Sequence, residues 1–238
     1  MVLSGDYPNG IAGLLKISEK YPNRYSTATN LGTAYELNGE TELAIKWIKE
    51  GIRLNPISHE GSEWLHLLIL ETKLKMKGEE NYFTKRHVVE LPTNFTLTTN
   101  VNILDKTRSI NDIGKAINHQ LEERVLFVKP KDSVVADLFL TLGQVEAHTA
   151  SVESAIRLLE ISKLYSLPNQ TYIENAMTDY RKIINIRKRN DFLMNIFYGL
   201  LFLGFVSYLI YKRKKHELFV LILICLILIL VNLTVPFL

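Results

Sequence analysis

Apolar residues recur three and four positions apart through most of the first 165 residues, and from Phe192 to Leu238 they fill nearly every position. The first pattern is that of amphipathic helices with one face towards a core, the second that of helices in a bilayer. A helix is expected over 60–77, with Trp64, Leu65, Leu68, Ile69 and Leu74 on its apolar face. Residues 79–108 lack a helical period and include Pro92 and several Thr and Asn residues, so they read as an extended connection with a short strand at 87–91. Ser109-Ile-Asn-Asp112 is an N-terminal capping pattern for a helix running to about Phe127, with Pro130 beyond it. Helices follow at 134–148 and 152–165, and a last one from about Gln170 to Arg189 leads into the apolar tail. The organisation expected is 1–78 helical repeats, 79–108 connection, 109–190 further helices and 191–238 membrane segment.

The helices repeat. At an offset of 34, Gly5-Asp6 aligns with Gly39-Glu40, Gly10 with Ala44, Leu14 with Ile48, and Tyr21-Pro22 with Asn55-Pro56. In the copy from Tyr25 to Ser58, Gly32 and Ala44 are small, as needed where two antiparallel helices touch, and Tyr35 and Ile48 fill the space beside them. Gly39 suits the left-handed turn between the helices, and Pro56 cannot continue the hydrogen-bond ladder of the second. Leu142-Gly143 and Ala155 repeat the spacing in a looser copy.

With Asn30-Leu31-Gly32, Ala34-Tyr35, Gly39-Glu40, Ala44-Ile45, Leu54 and Pro56 in place, this copy resembles the tetratricopeptide repeat family. The stretches NLGTAYELNGETELAIKWIKEGIRLNPISHEGSEWLH and QLEERVLFVKPKDSVVADL are similar to uncharacterised bacterial membrane-associated members, which carry an exported N-terminal extension. The resemblance implies an all-α fold of antiparallel helix pairs in a short α-solenoid, with a concave groove for a protein or peptide. It implies Ser26, Thr29, Asn30, Thr33 and Glu36 as the groove positions of the well-matched copy. Asn30 matches a residue that chaperone-binding members use on a peptide carboxylate, but Thr29 and Thr33 are neutral where a clamp needs cations. The third copy departs from the family, with His66 at a position usually small and no second helix after 77. Trp47 and Trp64 are candidate interface anchors, though tryptophans at helical spacing are more often core.

The runs 192–211 and 218–238 contain no charged residue and are each long enough to cross a hydrocarbon core of about 30 Å. Joined only by Lys212–Glu217, they predict a two-helix transmembrane hairpin and a multi-pass protein of a bacterial inner membrane. Four basic residues in that loop favour a cytoplasmic loop and periplasmic repeats, but Arg181, Lys182, Arg187, Lys188 and Arg189 flank the other side of the first span. The N-terminus lacks the pattern of a signal peptide and reads as the inside of a repeat. We expect periplasmic repeats, with a cytoplasmic placement as the alternative.

The net charge of +3 is concentrated between Arg181 and Lys215, and the rest of the chain is net acidic, so nucleic acid is not an expected partner. Cys225 is the only cysteine and excludes an intramolecular disulfide or a thiol-rich metal site. No Gly-rich phosphate loop, nucleophile elbow or Cys/His pair is present, and the neighbouring carboxylates Glu79-Glu80 and Glu122-Glu123 read as surface charge. A binding scaffold without catalytic residues, cofactor or metal is the function expected, with the bilayer as a second partner and self-association as a further option. The alternative is a membrane enzyme or enzyme accessory with a metal at His59, Glu63 and His66, spaced i, i+4 and i+7 on one helical face.

Overall fold

The computed structural model describes residues 5–79, 81–166, 170–212, 216 and 220, and these are mostly helical. The chain divides into two compact units, Met1–Lys182 and Ile183–Leu238. In the first unit α1 (Tyr7–Lys20) packs on α2 (Tyr25–Leu37), α2 on α3 (Thr41–Leu54), and α3 on α4 (Glu63–Met76). The offset of 34 reappears as geometry, since α1 and α3 begin and end 34 residues apart. Gly5 and Gly39, just before them, are both left-handed, at φ of 83° and 84°, a region glycine enters without a Cβ penalty.

Gly32 and Ile48 explain why α2 and α3 approach so closely. A Cβ on Gly32 would lie 2.5 Å from Ile48 Cδ1, so only hydrogen fits. The same device joins α6 (Ser133–Thr149) to α7 (Val152–Tyr165), where a Cβ on Gly143 would meet Leu159 Cδ1 at 2.3 Å. In both pairs the obstructing side chain comes sixteen residues after the glycine, and Ala44 or Ala155 between them is fully buried. Leu31, Tyr35 and Leu142 are buried as well, and Pro56 lies exposed just past the end of α3.

Two apolar clusters form the interior. Leu31, Ala34, Ile48, Leu67 and Leu70 centre the first, and Leu65, Ile69, Ile113, Ile117, Leu138, Leu140, Leu159 and Ile173 belong to the second. The helix α4 feeds both, so it is apolar on two faces and cannot show a single stripe. Its start falls at Glu63, later than the expected 60, because residues 59–61 turn through positive φ first.

The connection 79–108 is more structured than an extended linker. No strand forms at 87–91, where Val88 and Val89 are buried as coil against the second cluster. Instead β1 (Asn100–Ile103) pairs antiparallel with β2 (Lys106–Ser109) across a two-residue turn, Leu104 and Asp105, both at positive φ. β2 runs directly into α5 (Ile110–Phe127), whose cap is Ser109, with Oγ accepting from the Asp112 N–H at 3.1 Å. The Arg108 guanidinium lies 4.2 Å from the centroid of the partly buried Trp64 ring. Trp47 is partly buried against the first cluster.

The last helix does not stop at Arg189. α8 runs from Gln170 to Tyr211, because the intervening RKRND segment contains neither glycine nor proline and consists mainly of good helix formers. Its first turns bury Ile173 and Met177 in the second cluster of the first unit. In the second unit it carries an eighteen-residue stretch of mean hydropathy 1.9, with Phe192, Leu193, Leu200, Leu201 and Leu203 exposed. This helix is long and apolar enough to cross a membrane. The second apolar run, 218–238, lies outside the described residues apart from Val220.

Candidate functional site

The groove positions expected from the repeat separate in the structure. Ser26 and Asn30 are exposed, and Thr33 is half-buried. Thr29 turns away towards α3, where its Cγ2 blocks any side chain at Gly51. Glu36 points inward and anchors a buried polar network contributed by α2, α4 and α5.

Its carboxylate receives three cationic or polar groups. The Arg124 guanidinium spans both oxygens, with Nη1 at 2.8 Å and Nη2 at 3.3 Å, the fork geometry that suits a carboxylate. Lys73 Nζ donates at 2.8 Å and His66 Nε2 lies at 2.7 Å. Burial alone would raise the Glu36 carboxyl, but the charges of Arg124 and Lys73, with His66, reverse this and hold it well below the usual carboxylate value. For His66 the opposing effects fall the other way. Burial would lower the imidazole, and Glu36 raises it above its ordinary value.

One helical turn back on α4, Glu63 is almost wholly buried between two imidazoles. His59 Nδ1 stands 2.9 Å from its Oε1 and His66 Nδ1 3.7 Å from its Oε2. These are charge contacts without hydrogen-bond alignment, and among the described residues neither oxygen has a hydrogen-bond donor. Burial would raise this carboxyl, but the adjoining His59 and His66 bring it down to about 2. Glu63 in turn raises His59, against the effect of burial. Beside them Gln120 donates to Ser62 Oγ at 3.1 Å, fastening α5 to the start of α4.

His59 is placed by an unusual backbone. His59, Glu60 and Gly61 have φ of 46°, 54° and 75°, and a left-handed residue other than glycine costs on the order of 1–3 kcal/mol. This turn carries the imidazole away from the helical face expected for His59, Glu63 and His66 and towards α5. There His119 Nε2 lies 3.6 Å from Glu123 Oε1, and Glu123 Oε2 lies 3.8 Å from His59 Nδ1. The rings of His59 and His119 are 5.9 Å apart, and Tyr25 meets His59 edge-on at the same centroid distance. The expected trio therefore meets at Glu63, while each of its histidines also faces a second set. His66 belongs to Glu36 and Arg124, and His59 faces His119 and Glu123.

Sequence reading missed Lys73, Arg124, His119 and Gln120, and assigned Glu123 to the surface. One signal was present: Gln120 and Arg124 extend the buried stripe Ile110, Ile113, Ile117 and Leu121 of α5, and a polar residue on such a stripe needs a partner. A third buried carboxylate, Asp137 on α6, accepts from His87 Nδ1 and the Val88 N–H, both at 2.7 Å, and pins residues 87–89 to the core.

No protein-family model matches this chain, and no curated protein matches it.

Proposed function

We propose that this chain is a membrane-anchored scaffold of the tetratricopeptide type, which holds a protein or peptide partner at a bacterial inner membrane and catalyses nothing. The observation that carries this reading is α8. Its apolar, exposed stretch continues from a unit of stacked helix pairs whose elements recur at the repeat offset of 34. The close contacts at Gly32 and Gly143 support the same architecture, since they are the points where a helix pair of this type must touch.

Partner binding is assigned to the open part of the groove, Ser26, Asn30 and the edge of Thr33. Glu36 serves the scaffold itself, because its carboxylate is already matched by Arg124, Lys73 and His66. The membrane part is a hairpin in which α8 is the first span and the apolar run 218–238, read from sequence alone, is the second. The repeats face the periplasm and the basic loop 212–217 the cytoplasm.

Reporters active only in the periplasm, fused after residue 190 and within 212–217, test this arrangement. Activity at 190 without activity in the loop is expected. Inactivity at 190 overturns the periplasmic placement, and activity at both points overturns the hairpin. A photo-crosslinking residue at Asn30 is expected to join one discrete partner in intact membranes; an unlinked chain would remove the groove from the proposal.

A further inference from the structure

We propose that His59, His119 and Glu123 bind a first-row divalent transition-metal ion of the zinc type, with the buried Glu63 adding negative charge beside His59 Nδ1. The metal site goes beyond the scaffold reading and does not depend on it.

Geometry comes first. Each of the three side chains offers one ligand atom, and these atoms all lie within 4.8 Å of one another. In a tetrahedral zinc site with bonds of about 2.0–2.1 Å, neighbouring donors are roughly 3.3 Å apart. His59 Nδ1 lies 3.8 Å from Glu123 Oε2 and His119 Nε2 3.6 Å from Glu123 Oε1, so one carboxylate stands between the two imidazoles and side-chain adjustment brings one of its oxygens to this spacing. The donors come from two places, the strained turn before α4 and successive turns of α5, so an ion would tie these elements together.

The second observation is independent of spacing. Among the described residues neither His59 Nδ1 nor His119 Nε2, both buried atoms, has an aligned hydrogen-bond partner, His59 Nδ1 having only its charge contact with Glu63 Oε1. Buried polar atoms are rarely left in this state, and a cation held between His59 and His119 satisfies both nitrogens. Charge points the same way. Glu36 is matched by Arg124 and Lys73, whereas Glu63 and Glu123 meet only imidazoles among the described residues. Two imidazoles and a carboxylate are a donor set for zinc-like ions and not for magnesium or calcium, which take oxygen shells.

Glu63 Oε1, 2.9 Å from the same His59 Nδ1, places a buried negative charge next to the ion and offsets part of its charge. Three protein ligands leave one position for water. His119 also lines a cleft of about 590 Å³ with Leu97, Asn118 and Glu122, and Glu123 is exposed at its side chain, so solvent and the ion can reach the site.

The test uses the full chain in detergent, produced without a polyhistidine tag, stripped with chelator and titrated with Co²⁺ and then Zn²⁺. We expect one Co²⁺ per chain with visible bands of tetrahedral or five-coordinate type, displaced by Zn²⁺. His119→Gln and Glu123→Gln are each expected to weaken binding at least ~10-fold, and Glu63→Gln to weaken it by less, since it removes a neighbouring charge and no ligand. His148→Gln, on an exposed histidine of α6, is expected to leave it unchanged. Circular dichroism of each variant separates loss of ligand from loss of fold, and the wild-type stoichiometry stands whatever the variants do. Absence of stoichiometric binding, or binding that survives His119→Gln in a folded chain, overturns the site.

Discussion

At the scale of single residues, the buried charges between α2, α4 and α5 make stability depend on pH in two directions. Glu36 and Glu63 are held below the usual carboxylate value, Glu63 at about 2, and His59 and His66 are held above the usual histidine value. A carboxyl lowered by folding contributes stability that is present above its unfolded value, about 4.3, and is lost as pH falls through its folded one. A histidine raised by folding contributes stability that is present below about 6.5 and is lost as pH rises through its folded value. The network therefore contributes fully between about pH 4.5 and 6.5 and weakens on either side. In the chelator-treated chain, Tm is expected to fall from about pH 6.5 upward as the two imidazoles lose their protons. Glu63→Gln should make that alkaline decline shallower, since it removes the charge that raises His59. A wild-type Tm that is flat or climbing over the same range would show that the imidazoles are neutral in the folded chain.

At the scale of elements, the two glycine contacts set how closely a helix pair can pack. In Gly143→Ala the new methyl meets Leu159 Cδ1 at 2.3 Å and the Ala155 carbonyl oxygen at 3.3 Å. Leu159 is fully buried and has little room to retreat, so a cost of about 1–3 kcal/mol is expected, measured by chemical unfolding. Gly13 in α1 is the contrast, because a Cβ there meets nothing within 4 Å, and Gly13→Ala should stabilise by about 0.5–1 kcal/mol. A Gly143→Ala chain as stable as wild type would mean that α6 and α7 are free to separate. These contacts were legible in the sequence because small residues at fixed spacing leave a local signature, and so did the Ser109 cap of α5. The hairpin of β1 and β2 was not legible, since its turn uses Leu104-Asp105 at positive φ where Asn-Gly is the usual signal. The site was half legible for a related reason. His59, Glu63 and His66 are near neighbours in sequence, but Arg124 reaches Glu36 across 88 residues, and His119 and Glu123 enter only because α5 folds back against the start of α4. The left-handed turn at His59 and Glu60 also takes His59 out of the helix that carries Glu63 and His66, although its imidazole still meets Glu63.

At the scale of the whole molecule, α8 carries the first unit's last buried residues at one end and an apolar stretch with little cover at the other. Exposed leucines and phenylalanines in such number would aggregate in water, whereas a bilayer covers them without help from any partner. The basic residues Arg187, Lys188 and Arg189 sit just before the stretch and Lys212 just after it, where long cationic side chains reach the headgroups. Insertion should then be sensitive to charge at the middle of the span and insensitive to it at the ends. Arginine near the centre of a spanning helix costs about 2.5–3.5 kcal/mol, so Leu201→Arg with Leu203→Arg sets roughly 5–7 kcal/mol against a segment whose apolar residues contribute only about 0.3–0.6 kcal/mol each. The double variant is expected to lose the opposition between reporters at residue 190 and in 212–217, leaving both on one side of the membrane, while Tyr211→Arg at the edge retains it. Retained opposition in the double variant would mean that α8 does not cross the bilayer through this stretch.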